Sequence, residues 1–123
     1  MKIAVLRETR AGESRVAASP ETVKKFIAAG AGVVVERGAG EACNFPDHTF
    51  QEAGATIAMN AAEAISGADL ILKVRAPDAN DFGIYRPGQR IAAIVNPHGA
   101  KDVLGAAASA GVELFAMDLM PRI

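Results

Sequence analysis

Cysteine and histidine are scarce in this chain, and neither sign of charge is in excess. A single cysteine, Cys43, among 123 residues rules out an internal disulfide. With only His48 and His98 to join it, no thiolate-rich zinc site can be assembled, and no metal is expected. The expected setting is reducing and cytoplasmic. Basic residues number 13 and acidic residues 14, a formal charge of -1, and the signs alternate instead of forming blocks. That pattern leaves no electrostatic footprint for nucleic acid or an anionic membrane. Long apolar runs are missing too: Ile91 to Val95 is five residues, against the roughly 20 needed to span a bilayer. The opening Met1-Lys2-Ile3-Ala4-Val5 soon meets Arg7-Glu8 and lacks the apolar region and small-residue cleavage site of a signal peptide.

What is present is enough apolar sequence, 50% of residues, for one ordinary core without a disulfide or metal staple. Short apolar or alternating runs bounded by Gly and Pro predict six strands: Lys2 to Leu6, Val33 to Glu36, Thr56 to Ala58, Leu70 to Val74, Ile91 to Val95 and Val112 to Met117. Several are apolar at consecutive positions, which implies a sheet covered on both faces. The clearest helix runs from Pro20 to Ala29, with Ser19 as N-cap, Pro20 at the first helical position and Val23, Phe26 and Ile27 as one stripe. Asp47 to Ala53, Ala61 to Ser66 and Ala100 to Ala110 read as three more, joined by short loops. Ala29-Gly30-Ala31, Ala53-Gly54-Ala55 and Ala110-Gly111-Val112 each join a helical segment to a strand, the signature of αβ crossovers that lay strands parallel. The expected class is α/β: a doubly wound, mainly parallel sheet with helices on both faces. The final Asp118-Leu119-Met120-Pro121-Arg122-Ile123 reads as a loop on the carboxyl edge of that sheet, where ligands bind, so the chain is expected to be part of something longer.

Gly38-Ala39-Gly40-Glu41-Ala42-Cys43 carries two glycines of a dinucleotide fingerprint but Cys43 in place of the third. Phe45-Pro46 follows where a helix N-terminus should receive a phosphate, and the segment is expected to be a plain glycine-rich loop. No Gly-x-x-x-x-Gly-Lys-Ser/Thr occurs either. Arg7, Glu8, Arg10, Glu13 and Arg15 crowd the segment after the first strand, and for Arg7, Arg10 and Glu13 the expectation is a solvated loop of mixed charge. Arg15, just before a capped helix on the carboxyl edge, is open to two readings: solvated, or a two-pronged clamp for carboxylate or phosphate. Lys73 ends a buried strand and either reaches the rim or meets an anion. His98, after Asn96-Pro97, is either a loop histidine or an acid/base group, and Asp118 a turn residue.

Taken in order, Arg7-Glu8, Glu13-x-Arg15-Val16-Ala17-x-Ser19-Pro20, Glu36-x-Gly38-Ala39-Gly40, Ala53-Gly54-Ala55, Leu72-Lys73-Val74-x-Ala76-Pro77 and Ala116-Met117-Asp118-x-Met120-Pro121-Arg122-Ile123 are similar, over essentially the whole chain, to one domain type. It is the N-terminal domain shared by alanine dehydrogenases and the NAD(H)-binding alpha subunit of proton-translocating nicotinamide nucleotide transhydrogenase. Alanine oxidation removes a proton as well as a hydride, and that branch places a histidine about seven residues after the Gly-Gln before the strand. Counted from Gly88-Gln89, this chain has Asn96 there, with His98 two residues later. Exchange of hydride between two nicotinamides moves no proton at the reacting carbons, so the resemblance points to the transhydrogenase branch.

That resemblance implies hydride transfer from NADH to NADP+ coupled to proton movement, with this chain, residues 1–123, as the first domain of the alpha subunit. It implies a following NAD-binding Rossmann domain, a homodimer of the subunit, an NADP(H)-binding partner and a membrane partner that holds the assembly peripherally at the cytoplasmic side of the inner membrane. Arg122 matches the arginine of the nicotinamide loop and is the implied catalytic and cofactor-contacting residue. Arg15 and Lys73 match the pair that holds the 2-oxo acid in alanine dehydrogenases and are carried over as site-lining. The isolated chain is expected to be inactive and to bind NAD(H) weakly or not at all. The alternatives are the corresponding domain of an alanine dehydrogenase, with His98 as acid/base, and a non-enzymatic flavodoxin-like signalling module. The latter needs an acidic Mg2+ cluster after the first strand, where this chain puts Arg7 and Arg10 beside Glu8.

Overall fold

A computed structural model describes residues 1–9, 13–77, 79–94 and 100–116. Among these, six strands form one sheet: β1 (Lys2–Val5), β2 (Gly32–Glu36), β3 (Thr56–Ala58), β4 (Leu70–Arg75), β5 (Arg90–Ile94) and β6 (Glu113–Ala116). Their order is β3-β2-β1-β4-β5-β6, and every adjacent pair is parallel. The chain starts in the middle, winds outward to β3, then crosses back to β4 beside β1. Strand order therefore reverses between β1 and β4, and a crevice opens beyond their carboxyl ends.

Alternation along the central strands explains the two cores. Ile3 and Val5 join Val33, Val35, Val23 and Phe50 on one face, whereas Ala4 and Leu6 join Ile65, Ile71, Ile91 and Ala107 on the other. The first face is covered by α1 (Pro20–Ala28) and α2 (Asp47–Glu52), the second by α3 (Ala61–Ile65) and α4 (Ala100–Ala110). Ser19 caps α1 as read from the sequence, its hydroxyl accepting from the Thr22 N–H at 3.2 Å. At the three helix-to-strand junctions Gly30, Gly54 and Gly111 take φ of +96°, +106° and +73°, conformations that a Cβ would strain.

Strand ends shift by a residue or so from the sequence expectation, and three differences bear on the crevice. Val5, not Leu6, is the last residue of β1, although the Leu6 N–H still donates to the Leu72 carbonyl at 3.3 Å. The β1–α1 connection runs from Leu6 to Ser19, longer than the roughly 2–6 residues usual for such a link, so not all loops are short. Finally, β4 and β5 are joined through a 3-10 segment, Ala79–Ile84, that periodicity did not reveal. Its Phe82 and the following Tyr85 pack into the second core with ring centroids 5.7 Å apart.

Gln89, 6% exposed, ties the base of the sheet together. Its Nε2 donates to the carbonyls of Ile65 at 2.7 Å and Ala68 at 3.0 Å, and its Oε1 accepts from the Arg86 N–H at 2.8 Å. Gln89→Leu would leave all three backbone groups without their partner. Urea unfolding is expected to show a loss of about 3 kcal/mol, against a change within about 0.5 kcal/mol for Gln51→Leu on the exposed side of α2.

Candidate functional site

The crevice between β1 and β4 is built by carboxylates that complete backbone hydrogen bonding where the strands part. The Glu8 carboxylate accepts from the N–H groups of Val74 and Arg75, each at 3.0 Å. On the other side of β1, the Glu36 carboxylate at the end of β2 accepts from the Arg7 N–H at 2.8 Å. Glu8 thus replaces a carbonyl that β1 no longer offers to β4, and Glu36 one that β2 no longer offers to the chain leaving β1. At the same level the β4–β5 pairing shifts register: Leu72 pairs with Ala92 but Arg75 with Ile94, so three steps along β4 match two along β5. One extra residue is bulged out of β4 around Lys73 and Val74.

Glu13 closes the crevice from the long loop. Only 4% of its side chain is exposed, which corrects the expectation of a solvated loop residue. Its Oε2 accepts from the Arg15 backbone N–H at 3.0 Å and Arg15 Nε at 2.9 Å, and its Oε1 from Arg15 Nη2 at 2.8 Å and Arg75 Nε at 3.1 Å. The Arg15 guanidinium first, then its backbone N–H and Arg75, hold the Glu13 carboxyl well below the usual carboxylate range. Arg15 keeps 59% of its side chain exposed, yet two of its donors are directed inward to Glu13.

Two cavities flank this framework. One, about 320 Å³, is lined by Lys73 with Leu6, Arg7, Glu36, Asp81 and Tyr85. The other, about 410 Å³, is lined by Arg15 with Arg7, Glu8, Glu13, Gly38 and Glu41. Arg15 and Lys73, paired by the sequence reading, therefore face neighbouring cavities that share Arg7 as a wall. In the first, burial raises the Tyr85 phenol, helped by the negative charge of Asp81 and Glu36, so the ring carries a neutral hydroxyl. Arg10, Asn96, His98, Asp118 and Arg122 lie outside the described residues.

Gly38 serves a turn, with φ of +79°, and Gly40 serves packing. A Cβ on Gly40 would lie 2.7 Å from both the Phe45 carbonyl oxygen and the Phe50 ring, inside the core. The Gly38 N–H donates to Asp47 Oδ1 at 2.9 Å, and those of Ala39, Glu41 and Cys43 to the carbonyls of Glu36, Gly38 and Gly40. A 3-10 turn, Glu41–Cys43, does open directly on Gly40, whereas the sequence reading had no helix there. The two features that mark a dinucleotide site on such a sheet are not found here. After β1 the chain has Arg7-Glu8-Thr9 instead of a glycine-rich turn, and Glu36, where such a sheet places its ribose acid, is bound to the Arg7 backbone. Among the described residues no group of three or more His, Cys, Asp or Glu is placed to hold a metal ion. No described helix is long and apolar enough to cross a membrane.

Sequence reasoning missed Glu8, Glu13, Arg75 and Tyr85. Glu13 sits two residues from Arg15, a spacing that could have suggested the pair; Glu8 meets partners 66 and 67 residues away, which no local signal reports.

A family model described as alanine dehydrogenase/PNT, N-terminal domain, matches residues 4–123. The chain is 39% identical over 128 residues to an NAD(P) transhydrogenase subunit alpha polypeptide of Rhodospirillum rubrum, covering 100% of this chain and 33% of that protein. Among solved structures it is similar to a transhydrogenase from Sinorhizobium meliloti, with a TM-score of 0.93 and 44% identity over 100% of this chain and 36% of that one. An L-alanine dehydrogenase structure matches with a TM-score of 0.88 and 26% identity, over 94% of this chain and 32% of that one. The chain thus spans about a third of the length of these relatives.

Glu13 gives a pH signature. Its folded-state pKa lies below the ordinary glutamate value of about 4.3, so its stabilisation is complete above that pH and is lost progressively as pH falls below it. Glu13→Gln is expected to be less stable than the parent at pH 7, with the gap constant down to about pH 5 and narrowing below pH 4. Thermal unfolding of both proteins across that range checks it; a gap independent of pH would show that the carboxylate charge is not what holds Arg15 and Arg75.

Proposed function

The chain belongs to the alanine dehydrogenase/PNT N-terminal domain family, and from that premise we propose that it forms the first domain of the NAD(H)-binding alpha subunit of a proton-translocating nicotinamide nucleotide transhydrogenase. What supports this reading above all is likeness over the full chain to transhydrogenase, at 39% identity to an alpha subunit and a TM-score of 0.93 to a transhydrogenase structure. The alanine dehydrogenase likeness is weaker in both identity and coverage. The chemistry agrees: hydride exchange between nicotinamides needs no acid/base group, and Asn96 stands where the amino-acid enzyme places its histidine.

In this reading a following NAD-binding domain holds the coenzyme, and this chain supplies the opposite wall of the cleft. Such a wall positions the reacting groups and excludes water. Arg122 orients the carboxamide end of NAD(H), and Lys73 and Arg15 line the approach. The alpha subunit acts as a homodimer with an NADP(H)-binding partner and a membrane partner, at the cytoplasmic side of the inner membrane. The chain by itself is inactive.

The test is a chimaera in which this chain replaces the matching third of the Rhodospirillum rubrum protein, assembled with that protein's partners. NADH-dependent reduction of NADP+ without alanine-dependent reduction of NAD+ is the expected outcome; the reverse pattern would assign the chain to the amino-acid enzyme. In the chimaera Arg122→Ala is expected to slow hydride transfer about 10- to 100-fold. Titration calorimetry of the chain alone should detect no micromolar NADH binding, and finding it would overturn the division of labour.

A further inference from the structure

Lys73 and Arg75 are two residues apart on β4, and in a regular strand they would project from the same face. They do not. Lys73 lines the cavity that contains Leu6, Ala61 and Tyr85, on the side of the second core. Arg75 instead reaches Glu13 with its Nε at 3.1 Å, and Glu13 lines the cavity that contains Gly38 and Ala39, on the side of the first core. The bulge between Leu72 and Arg75 accounts for the difference, because one extra residue inverts the alternation beyond it.

A bulge leaves backbone N–H groups out of the ladder, and here the groups at its end, those of Val74 and Arg75, are both received by the Glu8 carboxylate at 3.0 Å. Two consecutive N–H groups converge on one carboxylate only when the chain is kinked, so the geometry that satisfies Glu8 is the bulged one. We propose that Glu8 is a positioning residue: by clamping the Val74 and Arg75 amides it holds the β4 bulge, and so turns Lys73 into its cavity and Arg75 to the opposite side, onto Glu13. Glu8 itself touches neither a ligand nor Lys73 in this role. The inference rests on the reading above only in taking the Lys73 cavity as the ligand-facing one.

The test uses this chain with 15N-labelled amides and 13C-dimethylated lysines, and no ligand, so that it fails or succeeds separately from the chimaera experiment. In the parent, the Val74 and Arg75 amides should exchange slowly with solvent, and the Lys73 methyls should show cross-relaxation with the Tyr85 ring. Glu8→Ala is expected to speed exchange at those two amides by about tenfold or more, with Ile71 and Ile91 unchanged, and to abolish the Lys73–Tyr85 signal. A carboxylate that merely stabilised the strand end would leave Lys73 in place. Glu8→Gln, which keeps one acceptor oxygen, should retain protection at one amide and part of the Lys73–Tyr85 signal, and it decides the matter if the alanine variant does not fold. Persistence of the full Lys73–Tyr85 signal with either amide deprotected, or protection of both amides in either variant, would overturn the proposal.

Discussion

Where β1 and β4 part company, backbone N–H groups emerge that no neighbouring strand can receive, and the whole carboxyl edge is organised by the acids that take them. Glu8 receives the amides of β4, and Glu36 receives the Arg7 amide of the chain leaving β1. The Val74 and Arg75 amides are part-buried, where a donor left without an acceptor is costly, so Glu8 belongs to the sheet as much as its ladder does. Because both acids are charged, both also set the electrostatics of the crevice they support. Glu13 extends the pattern by gathering donors from two arginines, which ties the segment before α1 to the end of β4.

Charge and packing are coupled through this arrangement. The bulge in β4 separates Lys73, which lines one cavity, from Arg75, which reaches Glu13 in the wall of the other; Arg15 lines that second cavity, and Arg7 stands between the two. Each cation then meets acids already committed to backbone contacts: Glu36 beside Lys73, and Glu8 and Glu13 beside Arg15. The result is a polar wall whose charges offset one another over short distances. Such a surface can orient a polar group without trapping a free anion, which suits the positioning role proposed for the domain.

The layout of strands and helices was legible in the amino-acid order because its causes are local. Ser19-Pro20 announces α1, the glycines at 30, 54 and 111 end three helical segments, and runs such as Leu70-Ile71-Leu72 demand cover on both faces. The site was legible only to a degree. Arg15 and Lys73 stood out by position, but a bulge adds a single residue to a six-residue strand and leaves hydrophobic periodicity almost untouched. The carboxylates were harder still. Glu13 looks like one charge in a mixed loop, and one of the groups that hold it, Arg75, is 62 residues away. The 3-10 link Ala79–Ile84 carries no amphipathic repeat long enough to announce itself, yet it delivers Phe82 and Tyr85 to the second core.

The strand order found here is the one that in dinucleotide-binding proteins opens a nucleotide crevice between β1 and its neighbour. Two substitutions of chemistry at that crevice change its use. A nucleotide-binding sheet needs glycine after β1, so that a helix N-terminus can approach the pyrophosphate, and needs a free acid at the end of β2 for the ribose. This sheet has Arg7-Glu8-Thr9 after β1, a long loop before α1, and an acid at the end of β2 already bound to backbone. The crevice is therefore walled by charged side chains that also complete the backbone hydrogen bonding, with open cavities on either side. That chemistry is in keeping with the proposed division of labour, in which another domain holds the coenzyme and this sheet presents fixed side chains to it.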